Sequence, residues 1–309
     1  MSSINKREYD RNYGFWNEKE QDILNKSKVA IAGVGGDGFQ LGYKLAMMGV
    51  GSFSIADPEI FEEENSNRVM GATSSHLGRN KAEVFRDMVA DMRPETTVDI
   101  YTEGISEDNL TDFTRNANLV IDETELTKLE LGTMLAREAR RKAIPDLLVM
   151  NIGFAAIATS FKPYYYRGKT FEDIMGIPKD APLDEVADME VDFSRCLPYV
   201  PRYGDLETLK AVKKGADLPS ISPGVDVASA IGSTEAFLHL VSDSNNKRRK
   251  PVWAPNFRYM DSYNGESGTI RTPRLSYYLG MVAAISSSVM NLSPSASYDE
   301  KSRKRRNMK

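Results

Sequence analysis

A glycine-rich segment between an apolar run and a helical pattern is the part of the sequence best suited to hold a phosphate. Residues 33–38 read G-V-G-G-D-G and directly follow the apolar run K-V-A-I-A. Glycines let the backbone turn tightly and approach a phosphate, and the helix that begins there offers unpaired N–H groups and the positive end of its dipole. The candidate nucleotide-binding residues of this segment are Gly33, Gly35, Gly36, Asp37 and Gly38.

A carboxylate follows at the end of the next apolar run. Asp57 closes the stretch S-F-S-I-A-D, a little over 20 residues after the first glycine. A carboxylate at this distance can accept hydrogen bonds from both ribose hydroxyls. Together the glycines and Asp57 indicate a nucleotide and no more, because an NAD- or FAD-dependent oxidoreductase uses the same pair of features.

Cationic and amide side chains come next, in three short motifs. The chain reads Asp57-Pro58-Glu59, then Asn65-Ser66-Asn67-Arg68, then Gly78-Arg79-Asn80-Lys81. When a carboxylate attacks the α-phosphorus of ATP, two anions meet, so cations must offset the charge that builds on the triphosphate and the leaving pyrophosphate. Arg68 and Lys81 are the candidates for that task, Glu59 belongs to the nucleotide-binding set, and Asn65 offers an uncharged contact. A dinucleotide oxidoreductase gives no reason for these motifs.

In this order the motifs resemble the ThiF/MoeB/HesA-type family, the ubiquitin-activating-enzyme-like adenylyltransferases. The resemblance implies ATP-dependent adenylation of a carboxylate, giving an acyl-adenylate and pyrophosphate, by positioning and charge stabilisation. The acceptor stays open: the C terminus of a ubiquitin-like or carrier protein, or a carboxylate or amide of a peptide or small molecule. A non-catalytic, nucleotide-binding partner subunit is a further alternative.

The segment Y-D-R-N at 9–12 resembles the family's N-terminal R-Y-x-R-Q/N motif. The resemblance places Arg11 at the arginine that reaches the γ-phosphate of the neighbouring subunit's ATP. It therefore implies a homodimer with composite sites and adds Arg11 to the catalytic candidates.

The predicted strand ends at Asp122. From there the chain reads Asp122-Glu123-Thr124-Glu125-Leu126, where the family has D-x-x-D-N. The resemblance makes Glu125, with Asp122, the candidate ligands of Mg²⁺. This is a departure from the family, because glutamate adds a methylene and Mg²⁺ tolerates poor geometry badly. A local shift that lets Asp122 or Glu123 serve is the alternative.

The single cysteine is Cys196. Many family members have a zinc-binding C-x-x-C near this place, and here Phe193 stands at its first cysteine and Cys196 at its second. A structural zinc site is not expected, because the cysteine ligands are too few. Two interpretations of Cys196 stay open. It is either the thiol that takes an acyl group from the adenylate or a plain packed cysteine.

Alternating strands and helices must position these residues. Apolar runs near 28–33, 52–57, 98–102, 118–122 and 146–151 predict strands, and the segments between them predict helices. This alternation predicts an α/β fold: a Rossmann-like, doubly wound, largely parallel sheet with helices on both faces. Later apolar runs extend it with C-terminal mixed or antiparallel strands near 251–271, between predicted helices at 223–242 and 275–291.

We divide the chain into four parts on this pattern. An N-terminal arm (1–27) precedes the ATP-binding region (28–161), and residues 162–292 form an excursion at the acceptor site with the remaining elements of the same domain. A basic tail (293–309) is expected to be disordered.

Composition narrows the setting and the partners. A net charge of -4 and 41% hydrophobic residues give no overall reason to expect nucleic acid as a partner. The N terminus lacks a secretory pattern, no run reaches the ~20 apolar residues of a membrane span, and one cysteine suits a reducing compartment. A cytoplasmic protein without a membrane partner is expected.

Overall fold

The computed structural model describes residues 6–163, 168–201, 203–204, 219–242, 244 and 247–272. The strands are β1 (Lys28–Ala32), β2 (Ser52–Ala56), β3 (Thr97–Tyr101), β4 (Leu119–Asp122), β5 (Asp146–Ile152), β6 (Ala155–Phe161), β7 (Asn256–Asp261) and β8 (Glu266–Arg271). The α-helices are α1 (Glu18–Lys26), α2 (Gly36–Met47), α3 (Lys81–Met92), α4 (Leu110–Phe113), α5 (Leu129–Arg141), α6 (Phe171–Met175), α7 (Leu183–Ala187), α8 (Phe193–Cys196) and α9 (Ser222–Leu240).

These strands form one sheet in the order β3-β2-β1-β4-β5-β6-β7-β8. The first five strands in this order are parallel, and the pairs β5–β6, β6–β7 and β7–β8 are antiparallel. The chain leaves the central strand β1 toward β2 on one side and later returns to its other side as β4. In such a sheet the carboxyl ends of β1 and β4 flank a crevice where ligands bind.

The parallel strands are short apolar runs because both of their faces are covered. Four of the five residues of β1 and of β2 are buried. Helices α2 and α9 pack together on one face, where a Cβ added to Gly232 would meet Leu41 Cδ1 at 2.2 Å. The helices approach this closely only because that position lacks a side chain. The expectation of a doubly wound, largely parallel sheet with antiparallel C-terminal strands is confirmed.

Two features of the middle of the chain were not predicted. Strand β6 reads A-A-I-A-T-S-F, and all seven residues are buried. Its small residues give a weak hydrophobic signal, and only pairing with β5 and β7 makes it a central strand. The expected excursion contains the short helices α6, α7 and α8, whose apolar side chains form a second core with residues of α5, β6 and β7.

Some predictions concern residues outside those described. The predicted helix at 275–291 and the basic tail at 293–309 both lie there. The four-part division of the chain therefore stays a prediction, although the sheet itself continues from the ATP-binding region into β7 and β8.

The N-terminal arm is joined to the later part of the chain by a buried ion pair. Glu20 of α1 is fully buried and accepts hydrogen bonds from Arg248 Nε at 2.6 Å and Nη2 at 2.8 Å. Beside it, the rings of Trp16 and Phe237 lie 5.2 Å apart. The arm is thus anchored at the carboxyl end of α9.

No helix in the described ranges is both long enough and apolar enough to cross a membrane.

Candidate functional site

The glycine turn lies between β1 and α2, at the crevice between β1 and β4. Gly33 has φ +94°, and a Cβ there would meet the Glu123 carbonyl oxygen at 2.1 Å. A Cβ on Gly38 would meet the Gly33 carbonyl oxygen at the same distance, whereas a Cβ on Gly35 would meet nothing within 4 Å. Gly33 and Gly38 are therefore required by the turn itself. Gly35 faces open space, and glycine at that position leaves the backbone accessible to a ligand.

Asp57 fixes the shape of this turn. Its Oδ2 accepts a hydrogen bond from Val34 N at 2.8 Å, and its Oδ1 accepts one from Glu59 N at 2.8 Å. Burial raises the pKa of the Asp57 carboxyl, while the nearby Lys81 lowers it. The carboxylate therefore connects the turn to the segment after β2, and its predicted contact with a ribose stays a prediction.

Asp37 is turned toward β5 and away from the open side of the turn. Its carboxylate accepts hydrogen bonds from Asn151 N at 2.9 Å and from Asn151 Nδ2 at 3.0 and 2.9 Å. Burial raises its pKa to about 6. At this position the carboxylate braces the turn, and the backbone N–H groups at the start of α2 are what a phosphate would meet. Asn151 was missed from sequence because no short motif contains it.

Arg68 lies against the glycine turn. Its Cγ is 3.8 Å from the place a Cβ on Gly36 would occupy, and its Nη1 donates to Glu64 O at 3.1 Å and Asn67 Oδ1 at 2.9 Å. Its charge acts on the carboxylates of Asp37 and Glu59. The stem of Arg68 therefore lies beside the turn, and its guanidinium is held by the loop that carries it.

Asn65 holds the loop that carries Arg68. It is buried within a single 3₁₀ turn (Glu63–Asn67), where its side chain accepts from Glu62 N at 3.1 Å and its carbonyl accepts from Arg68 N at 3.1 Å. These two hydrogen bonds of Asn65 therefore stabilise the loop. A contact between Asn65 and a phosphate stays a prediction.

Lys81 is the first residue of α3. It lies at the sheet edge formed by the carboxyl ends of β1 and β2. Its side chain is 6% exposed and bonds the carboxylate of Glu59, which is 53% exposed. Asn80 caps the helix and donates to Asp57 O at 2.9 Å, so the start of α3 is tied to the end of β2. Lys81, Arg68 and the glycine turn are thus three neighbours around Glu59 and Asp57.

The carboxylates after β4 are already engaged in ways the sequence does not reveal. Asp122 is buried and accepts from Thr124 N at 3.0 Å and Thr124 Oγ1 at 2.7 Å, and its other oxygen faces α5 at Gly132. Glu125 is exposed and pairs with Lys128 at 3.1 Å. No group of three His, Cys, Asp or Glu among the described residues is arranged to hold a metal ion. Asp122 and Glu125 are thus engaged by Thr124 and Lys128, and their role as Mg²⁺ ligands stays a prediction.

Two further residues lie by the site: Lys128, which was not predicted, and Glu123, which was named only as an alternative metal ligand. The Glu123 side chain packs over Gly38, and burial beside the carboxyls of Asp37 and Asp122 raises its pKa well above the usual value. Lys128 acts electrostatically on Glu59. Neither residue stands in a motif with the glycine turn, so only the fold brings them to it.

Cys196, a candidate of the catalytic set, is packed away from solvent. It is completely buried in the second core, and burial raises its thiol pKa to about 12. A thiol that accepts an acyl group must be accessible and form a thiolate. The structure therefore favours the packed cysteine over the transfer thiol.

The remaining features are Arg11 and the hairpin between β5 and β6. Arg11 is exposed on the arm, as a contact with a second subunit requires, but that contact stays a prediction. The hairpin between β5 and β6 lies beside the start of α9, where a Cβ on Gly224 would meet Gly153 O at 2.0 Å, and Tyr203 Oη accepts from Phe154 N at 2.9 Å. The start of α9 also borders the turn, because Val225 Cγ2 lies 2.9 Å from the place a Cβ on Gly36 would occupy.

Comparisons with known proteins identify the family and the fold. The profile described as ThiF family matches residues 9–278. The chain is 32% identical over 133 residues to the tRNA threonylcarbamoyladenosine dehydratase of Haemophilus influenzae, a match that covers 43% of this chain and 49% of that protein. The matches to the first curated relatives cover only 18% to 49% of those relatives' lengths.

Solved structures share the fold over most of the chain. PaaA has a TM-score of 0.63 and 17% identity, covering 89% of this chain and 76% of its own. MccB of E. coli, solved with ATP, has a TM-score of 0.63 and 16% identity, covering 88% and 73%. Since the family profile spans most of the sequence, including the glycine turn, Arg68 and Lys81, this chain belongs to the ThiF family.

Proposed function

We propose that this protein binds ATP over the glycine turn and adenylylates a carboxylate, giving an acyl-adenylate and pyrophosphate. The carboxylate oxygen attacks the α-phosphorus, the bond between the α- and β-phosphates breaks, and pyrophosphate leaves. Such a reaction needs positioning and charge compensation more than acid–base chemistry. Membership of the ThiF family supports the proposal, as does a structural neighbour solved with ATP.

One observation carries the proposal. Arg68 packs against Gly36 of the turn, and its charge reaches the carboxylates of Asp37 and Glu59. An arginine in front of a turn with accessible backbone N–H groups is arranged for a phosphate. A dinucleotide oxidoreductase, which uses the turn and Asp57 alone, does not require it.

The other residues take roles that follow from their positions. Lys81, held by Glu59, neutralises phosphate charge on the side of β2. Asp57 is offered to the ribose, and the backbone of the turn holds the phosphates. Asn65 keeps the loop of Arg68 in place. Arg11 would complete the site of a second copy if the homodimer forms.

The acceptor is proposed only as a class. A carboxylate of a peptide, a ubiquitin-like or carrier protein, or a small molecule fits the reaction. The buried Cys196 argues against onward transfer to a cysteine of the described region. Nucleic acid is the less favoured acceptor, since the chain is acidic overall.

The test is nucleotide binding followed by ATP–pyrophosphate exchange. ATP affinity is measured for the wild type, Arg68→Ala and a matched control, Arg115→Ala, whose side chain is exposed and pairs with Asp112 near α4. We expect Arg68→Ala to weaken ATP binding at least ten-fold and the control to leave it unchanged. Exchange is then measured with candidate carboxylates, and it should fall with the same variant.

Two outcomes would favour the alternatives. Tight binding of NAD or FAD with no response to ATP would indicate an oxidoreductase. ATP binding without exchange for any carboxylate tested would favour a nucleotide-binding partner subunit. The ion pair of Glu125 with Lys128, in place of a free carboxylate, is the observation that keeps this second possibility in view.

A further inference from the structure

We propose that Lys128 is a third cation of the triphosphate site and that Glu125 is its resting partner, not a magnesium ligand. The inference rests on the proposed function, because it needs a triphosphate over the glycine turn. It adds a phosphate-contacting residue that no motif in the sequence identifies.

Lys128 lies near the glycine turn in the fold. It is the last residue before α5, in the segment that follows β4, at the same sheet edge as the glycine turn. Its Nζ lies 3.1 Å from Glu125 Oε2, and its charge acts on the Glu59 carboxylate. Lys81 bonds that same carboxylate and Arg68 acts on it electrostatically. Cations from three separate segments thus act on Glu59, of which Lys81 is in direct contact with it.

The exposure of the two lysines separates their roles. Lys81 is 6% exposed and fixed by packing, whereas Lys128 and Glu125 are 50% and 55% exposed. An exposed ion pair between neighbours in sequence contributes little to stability, so Lys128 can leave Glu125 at small cost. A lysine on a flexible stem acts as a movable point charge, which suits the outer phosphates of a bound triphosphate.

A contact with the outer phosphates has a selective consequence. Lys128 would favour nucleoside triphosphate and pyrophosphate, which carry those phosphates, but would add nothing for a nucleoside monophosphate. Glu125 has the opposite effect, because its negative charge lies beside the incoming phosphates. Removing Glu125 should therefore strengthen binding of the triphosphate, whereas removing a metal ligand should weaken it.

The experiment measures affinities for ATP and AMP by calorimetry, each with magnesium and with EDTA. The proteins are the wild type, Lys128→Gln, Glu125→Gln and the control Lys19→Gln, an exposed lysine on α1. Thermal unfolding of each variant shows that it folds. We expect Lys128→Gln to weaken ATP binding about five- to ten-fold and AMP binding less than two-fold. Glu125→Gln should tighten ATP binding about two-fold.

Three results would overturn the inference. Lys128→Gln could bind ATP as the control does, or it could lose ATP and AMP affinity equally. Glu125→Gln could weaken ATP binding only when magnesium is present, which would make Glu125 a metal ligand after all. Failure of the proposed function is distinguishable, because then Arg68→Ala would also leave ATP affinity unchanged.

Discussion

Asp37 and Asn151 fasten the glycine turn to the end of β5. The carboxylate accepts from Asn151 N at 2.9 Å and from Nδ2 at 3.0 and 2.9 Å, across 114 positions of the chain. Because Asn151 precedes the hairpin next to α9, the bond joins the glycine turn to that part of the fold. Asp37 thus belongs to the segment predicted to bind phosphate, and its carboxylate holds that segment against β5.

The buried Asp37 should make stability fall as pH rises. Burial raises its pKa from 3.8 to about 6, so the folded state holds the proton more tightly than the unfolded state. The stabilisation is complete below pH ~4 and is lost as pH rises toward 6, by on the order of 2–3 kcal/mol. Chemical unfolding of wild type and Asp37→Asn from pH 4 to 7 should show this decline in their difference. A difference that does not change with pH would contradict it.

Two glycines of the turn should respond differently to alanine. Gly38→Ala forces a Cβ to 2.1 Å from Gly33 O and should destabilise the protein by about 1–3 kcal/mol or more. Gly35→Ala meets nothing within 4 Å and should keep its melting temperature, while the new methyl group obstructs the phosphate and weakens ATP binding about ten-fold. Thermal unfolding and ATP titration of both variants check this. If Gly35→Ala binds ATP as tightly as the wild type, the phosphates do not bind at this turn.

Cys196 should be inert in the folded protein. Its burial and its pKa of about 12 leave almost no thiolate at neutral pH. A thiol reagent should react slowly in buffer and at once in denaturant. Cys196→Ala should lose about 1 kcal/mol of stability and retain ATP binding and exchange. Rapid labelling of the native protein would contradict this prediction. So would a folded Cys196→Ala variant without exchange activity, and either result would support Cys196 as the thiol that takes the acyl group.

Glu20 should give the opposite pH dependence to Asp37. Its hydrogen bonds with Arg248 lower its pKa to about 2, so its stabilisation is present above pH ~4.5 and is lost as pH falls toward 2. Glu20→Gln should cost about 3 kcal/mol at pH 7. Denaturant unfolding of the variant and wild type should converge at low pH. Equal stabilities at pH 7 would show that the ion pair does not anchor the arm.

The nucleotide half of the fold was predictable because its signals are local. Apolar runs that end in glycine or aspartate predicted β1 and β2, and the order of the short motifs predicted that Arg68 and Lys81 serve one site. Strand β6 was not predictable, because its alanines and serine become a buried strand only through two neighbours in the sheet.

The parts of the site that were missed are long-range pairings. Asn151 meets Asp37 only after the sheet has formed, and the charge of Lys128 acts on Glu59 only because β4 lies beside β1. Cys196 stayed ambiguous for the same reason, since sequence position does not reveal burial. Residue type and spacing indicated which chemistry to expect, and packing decided which side chains are free to take part.

A crystal structure with a non-hydrolysable ATP analogue would test directly whether ATP binds over the glycine turn. We predict that its triphosphate lies over residues 33–38, with the α-phosphate at the backbone N–H groups that begin α2. The guanidinium of Arg68 and the ammonium of Lys81 should bond the phosphate oxygens. A triphosphate bound elsewhere, or bound at the turn with both cations directed away from it, would contradict the account.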